Sequence, residues 1–170
     1  MVRSILILLF CAPLLSGCAA GFIAMQTIKS TGKFESAPPP PNGKALLYVY
    51  RTASMTGAVN GAEIYADGKK LFGLATGGYA YAYLPPGQHR ITAHWSGSLG
   101  FSDQPVELSL DLATGTSRFV RFSAATEPDF GFNRHTWKIE ELAPPTAMSE
   151  LNEEHLDRDA VAELAPEFRP

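Results

Sequence analysis

Between residues 44 and 142 the apolar positions fall into short runs, separated by glycine, proline and Asp-Gly. Most runs alternate with period two, the signature of a strand with one face buried. Residues 44–51 (KALLYVYR) differ: they form a continuous apolar, β-branched and aromatic run, which predicts a central strand covered on both faces. Residues 62–66 and 70–75 flank Asp67-Gly68. Asp-Gly is a strong hairpin signal, because a type I′ turn needs positive φ at both central residues. Residues 79–84 read Tyr, Ala, Tyr, Ala, Tyr, Leu, so Tyr79, Tyr81 and Tyr83 share one face and Ala80, Ala82 and Leu84 the other. Pro85-Pro86-Gly87 makes a second turn. It leads into residues 88–95, where His89, Ile91, Ala93 and Trp95 face one way and Arg90, Thr92 and His94 the other. Residues 61–95 thus read as an antiparallel meander.

Residues 106–112 alternate cleanly, with Val106, Leu108, Leu110 and Leu112 inward. Residues 116–123 form the next expected strand, 124–134 a loop containing Pro128 and Gly131, and 135–142 the last strand. About eight strands with turn signals every ~8–12 residues predict an all-β fold, an antiparallel β-sandwich, and no βαβ array. Beyond Pro144-Pro145 the chain turns polar and helix-favouring. One short helix is expected near residues 146–155, capped by Thr146, followed by a frayed tail to Pro170.

The N-terminus follows another grammar. Arg3 precedes an apolar core at residues 5–15, too short for the ~30 Å of a bilayer interior. The core ends in Leu15-Ser16-Gly17-Cys18. Small residues at that place suit a signal-peptidase cut, and the four together resemble the bacterial lipobox. The resemblance implies a lipoprotein signal peptide at 1–17, with Cys18 as the first mature residue and the site of lipidation (palmitate). Cys11 leaves with the signal. A second acyl chain makes anchoring stable. Ala19, where inner-membrane lipoproteins of enteric type tend to carry Asp, leans towards the outer membrane and a periplasm-facing position. Residues 18–43 then read as a tether. Its stretch Ala37-Pro38-Pro39-Pro40-Pro41 favours a polyproline II rod holding the domain off the membrane. The β-domain occupies 44–145, and the helix and tail 146–170.

Composition narrows the chemistry. A net charge of −3 argues against nucleic-acid binding, which needs a basic face. Both cysteines lie within the first eighteen residues, so the folded part has no thiol nucleophile, cysteine metal site or internal disulfide.

The order of motifs resembles the bacterial DUF2846 family of small lipoproteins. The residues that carry it are Leu47-Tyr48-Val49-Tyr50-Arg51, Ile64-Tyr65-Ala66-Asp67-Gly68-Lys69, Gly78-Tyr79 and Leu84-Pro85-Pro86-Gly87-Gln88-His89, within a pattern running from residue 45 to 151. Similar turns occur in PEGA-like and prealbumin-like β-modules, the wider group. The resemblance implies a sandwich-like, envelope-facing domain and no activity, so no catalytic residue is carried over.

Candidate sites are few. His89 and His94 lie five apart on one strand, hence on opposite faces, and no spacing supplies the three or four convergent ligands of a zinc site. His89 is expected to bond the Pro-Pro-Gly turn. No Gly-x-Ser-x-Gly elbow or phosphate-cradling loop is present, and Glu140-Glu141 and Glu153-Glu154 read as solvated pairs. Neither a cofactor nor a metal is expected. The tyrosine stripe has two readings. Rings ~6.8 Å apart along a strand match successive sugars of a glycan; equally, aromatic residues fill the core of any sheet. The expectation is a non-catalytic, membrane-anchored binding or adaptor module for another envelope protein, engaged through a strand edge or the tyrosine face. The alternative is a carbohydrate-binding module for cell-wall or surface glycan through Tyr79, Tyr81 and Tyr83.

Overall fold

The computed structural model describes residues 33–96, 104–129 and 132–170, at 127–129 and 132–134 in their backbone only. The signal segment and Cys18 lie outside the described residues. The elements run β1 Ala45–Arg51, β2 Gly61–Ala66, β3 Lys69–Leu74, β4 Gly78–Leu84, β5 Gly87–Ser96, β6 Val106–Leu112, β7 Ser117–Asp129 and β8 Phe132–Leu142. Helix α1 Pro144–Leu151, a two-residue strand β9 His155–Leu156, helix α2 Arg158–Ala162 and a 3-10 turn Pro166–Phe168 complete the chain. The strands form two sheets, ordered β8-β7-β1-β4-β9 and β3-β2-β5-β6. The fold is an all-β sandwich.

The hydrophobic pattern assigns strands to sheets. β1 is apolar on both faces and is buried throughout, so it sits at the centre of the five-stranded sheet. Leu47 and Val49 enter the core between the sheets, while Leu46, Tyr48 and Tyr50 enter a second cluster on the outer side. β2, β5 and β6 alternate, and they form the sheet whose outer face is wet. Ile91, Ala93 and Trp95 point inward, as the alternation predicts.

Several expectations change. The meander is not one sheet. β2 and β3 form the Asp67-Gly68 hairpin, with φ of 51° and 78° at the two turn residues, but β4 crosses over and pairs with β1. The physical reason lies in β4 itself. Its tyrosine face and its Ala/Leu face both need cover, and only a site inside the five-stranded sheet provides it. Pro85-Pro86-Gly87 is therefore a corner between sheets rather than a hairpin. The sandwich is also not purely antiparallel, because β1–β7 and β4–β9 pair in parallel.

Residues 124–129 and 132–134, expected as loop, instead continue the β7–β8 hairpin down to Asp129 opposite Phe132. β1 ends opposite Phe122, so the hairpin runs on past it as a two-stranded ribbon. Pro128 fits there because it has a ladder neighbour on one side only.

Helix α1 begins at Pro144, not Thr146, and Ala143 in the cap position makes no side-chain bond. Proline at the first helical positions has φ preset and no amide to satisfy. The expected frayed tail is packed. α2 is capped by Asp157, whose carboxylate accepts from the Ala160 amide at 3.0 Å. Ala160, Leu164 and Phe168 join the central core, and the Lys44 ammonium donates to the carbonyls of Glu167 and Arg169 at 3.0 and 2.7 Å.

Candidate functional site

The outer face of the five-stranded sheet carries the tyrosine stripe. Tyr79 and Tyr83 are 1% and 0% exposed, and Tyr81 is half-buried. What covers them is the segment expected to stand off as a rod. Residues 34–38 run along the sheet, and the tyrosine hydroxyls bind their backbone. Tyr79 accepts from the Glu35 amide at 2.8 Å, and Tyr48 accepts from the Ala37 amide at 2.8 Å. Tyr83 donates to the Pro38 carbonyl at 2.8 Å. Phe34 sits between Tyr48 and Tyr79, with ring centroids 5.3 and 5.5 Å away, and Tyr48 stacks on Phe119 at 5.1 Å. Arg158 pairs with Glu35 at 2.7 Å. The strap works because a tyrosine buries its ring and keeps one polar atom for the backbone it meets. Burial raises the phenols of Tyr48 and Tyr79 and pushes Tyr83 up to about 12.

At one end of this sheet lies a second cluster. Arg51 is 2% exposed. Its guanidinium donates to the carbonyls of Asn60, Gly57 and Leu74 at 2.5, 2.7 and 3.3 Å and lies 4.8 Å from the Trp95 ring centre. These bonds fasten the turn after β1. Gly57 is required there twice over: its φ is +70°, and a Cβ would meet the Trp95 ring at 2.6 Å. Burial lowers Arg51 to about 10, so it stays charged at neutral pH.

Glu154 is buried behind the same turn and accepts from the Ala53 amide at 3.3 Å. Its burial outweighs that bond and raises the carboxyl to about 7. Nothing in the spacing of Glu153-Glu154 predicts this, because adjacent carboxylates read as solvated. Nearby, the Arg121 guanidinium pairs with Glu140 at 2.6 Å and with Glu150 at 2.5 Å. Glu150 also accepts from the Tyr50 hydroxyl at 2.7 Å, which ties α1 to the sheet.

The histidines are spread apart. His89 joins the two turns, with Nε2 2.9 Å from the Pro85 carbonyl and Nδ1 2.7 Å from Asp67 Oδ2. His94 stacks on Tyr65 at 4.8 Å on the wet face of the other sheet. Thr92 and Pro105 complete a shallow groove there of about 290 Å³. Among the described residues, no three His, Cys, Asp or Glu side chains converge as metal ligands, and no helix is long and apolar enough to cross a membrane.

Comparison with curated proteins finds no match. Over residues 41–133, from the end of the strap to the ribbon, the chain matches a family model described as a protein of unknown function, DUF2846. That span contains β1 to β7 and every motif that carried the resemblance. The chain belongs to the DUF2846 family.

Proposed function

We propose that this chain is a lipid-anchored envelope module that binds another envelope protein and catalyses no reaction. Acylation at Cys18, a periplasm-facing position and outer-membrane residence rest on the Leu15-Ser16-Gly17-Cys18 pattern and on Ala19.

The observation that carries the binding role is β8. It is an eleven-residue strand at the edge of its sheet, hydrogen-bonded to β7 on one side, with β6 of the other sheet close to it over part of its length. An edge of that length offers a row of backbone donors and acceptors to an added strand. Glycan stacking on Tyr79, Tyr81 and Tyr83 would require residues 34–38 to leave the face, so the edge is the better docking place. The test is photocrosslinking in intact cells, with benzoylphenylalanine at Thr136 or Lys138 on β8 and, for comparison, at Lys70 on β3, the far edge of the other sheet. A discrete protein adduct from β8 and not from β3 supports the role. Adducts equal at both places, or none, remove it. An adduct that disappears on glycan digestion would favour the carbohydrate reading.

A further inference from the structure

The turn between β1 and β2 displays the two most exposed large apolar side chains among the described residues, Met55 at 78% and Val59 at 76%. Residues 52–60 contain no charged side chain. The turn is nevertheless held by specific bonds. Arg51 takes its carbonyls at Gly57 and Asn60. The Ser54 amide donates to Thr76 Oγ1 at 3.1 Å, and Thr56 and Thr126 hydroxyls meet at 2.6 Å, which joins the turn to the ribbon. A buried guanidinium and an indole are thus spent on fixing a turn whose tip holds only apolar and small polar groups. Fixing such a tip in advance removes the ordering cost of inserting it elsewhere.

The path of the chain says what it meets. Phe34, where the described chain begins to pack, lies against Tyr79, and its amide donates to Asn152 Oδ1 at 3.1 Å. Tyr79 is paired with Tyr50, two residues before the turn starts. From there the strap descends past Tyr83 to Lys44 at the other end of the sheet. The segment from Cys18 therefore reaches the domain at the end that carries Met55 and Val59. Sixteen residue steps separate Cys18 from Phe34, a reach of at most about 55 Å. The opposite end presents Asp67, Lys69 and Glu167, which are poorly suited to an apolar interface.

We infer that the Met55–Val59 turn is a membrane-docking surface, which inserts its two apolar side chains at the headgroup boundary of the bilayer that holds Cys18. The inference rests on acylation at Cys18. Interfacial binding by a few apolar groups is weak alone, but it becomes effective once a lipid anchor holds the domain at the surface.

The experiment uses the acylated protein in nanodiscs of phosphatidylethanolamine and phosphatidylglycerol carrying a gadolinium-headgroup lipid, read by methyl NMR. Mass analysis of the Cys18 peptide first reports acylation. If it is unmodified, the anchor reading fails. Coupling the Cys18 thiol to a maleimide lipid then supplies the same attachment, so docking is still decided. The Met55 and Val59 methyls are expected to relax several-fold faster than the Ala113 methyl at the opposite end, and the difference is expected to vanish at Ala58 in the Met55→Glu/Val59→Glu variant. Both side chains are exposed, so that variant should fold, which its melting curve checks. Equal relaxation at Met55 and Ala113, or an unchanged Ala58 profile in the double variant, would overturn the inference.

Discussion

Glu154 and Arg51 are single residues whose burial sets measurable behaviour. In the unfolded chain the Glu154 carboxyl titrates near its ordinary 4.5, and in the fold near about 7. The folded state thus holds a proton that the unfolded state releases. Stability falls as pH rises from about 4.5 to about 7 and then levels off. At about 1.36 kcal/mol per unit, the loss is on the order of 3 kcal/mol. Glu154→Gln should therefore raise stability above pH 7 by up to about that amount and change little at pH 5, as urea titrations at the two pH values will show. A flat profile in both proteins would mean the carboxyl is solvated. Arg51→Met should be costly at every pH, because it strands the carbonyls of Gly57, Asn60 and Leu74. The expected loss is roughly 3 kcal/mol, visible as a lowered urea midpoint. The continuous apolar run ending in Arg51 shows that a cation closes β1. It does not show that the cation turns inward, since that depends on carbonyls from two later segments.

At the scale of elements, the strap and the tail are where local pattern misleads. Four consecutive prolines describe an extended chain but not what it lies on. Here the hydroxyls of Tyr48, Tyr79 and Tyr83 receive its backbone. Tyr79→Phe should release the Glu35 amide, and Tyr48→Phe the Ala37 amide, to hydrogen exchange near the rate of open chain, each at a cost of about 1 kcal/mol. A free rod would show unprotected amides in the parent as well. The apolar residues of the tail fit a helical face only loosely, yet Leu164 and Phe168 are 1% and 6% exposed. Ending the chain after Glu163 should cost roughly 3 kcal/mol or more, measured by calorimetry; an unchanged melting curve would return the tail to a frayed end. The β7–β8 ribbon escaped notice for the opposite reason. Its composition is that of a loop, and only pairing across Asp129–Phe132 makes it strand.

For the whole molecule, the strap sets how far the domain can stand from the lipid anchor proposed at Cys18. If the chain were free as far as Lys44, twenty-six residue steps from Cys18, it would reach about 90 Å; packed from Phe34 it reaches about 55 Å. Neutron reflectivity on a supported bilayer should therefore place the near edge of the acylated protein within about 55 Å of the headgroups. In the Met55→Glu/Val59→Glu protein, where the docking contact is absent, adding Tyr48→Phe, Tyr79→Phe and Tyr83→Phe should let the protein layer sit further out. A protein layer at the same larger distance in both would show that the strap carries no load.

The sandwich was legible in the chain itself. Period-two alternation, Asp67-Gly68 and the uniformly apolar β1 state which side chains share a face and which faces are apolar. Other features needed partners far along the chain: β4 beside β1, the tyrosines under residues 34–38, Arg51 inside a turn, Glu154 out of water. A residue's own neighbours in sequence set its face. Whether that face meets solvent, a second sheet or a strap depends on contacts between segments tens of residues apart, and only the assembled fold brings those together.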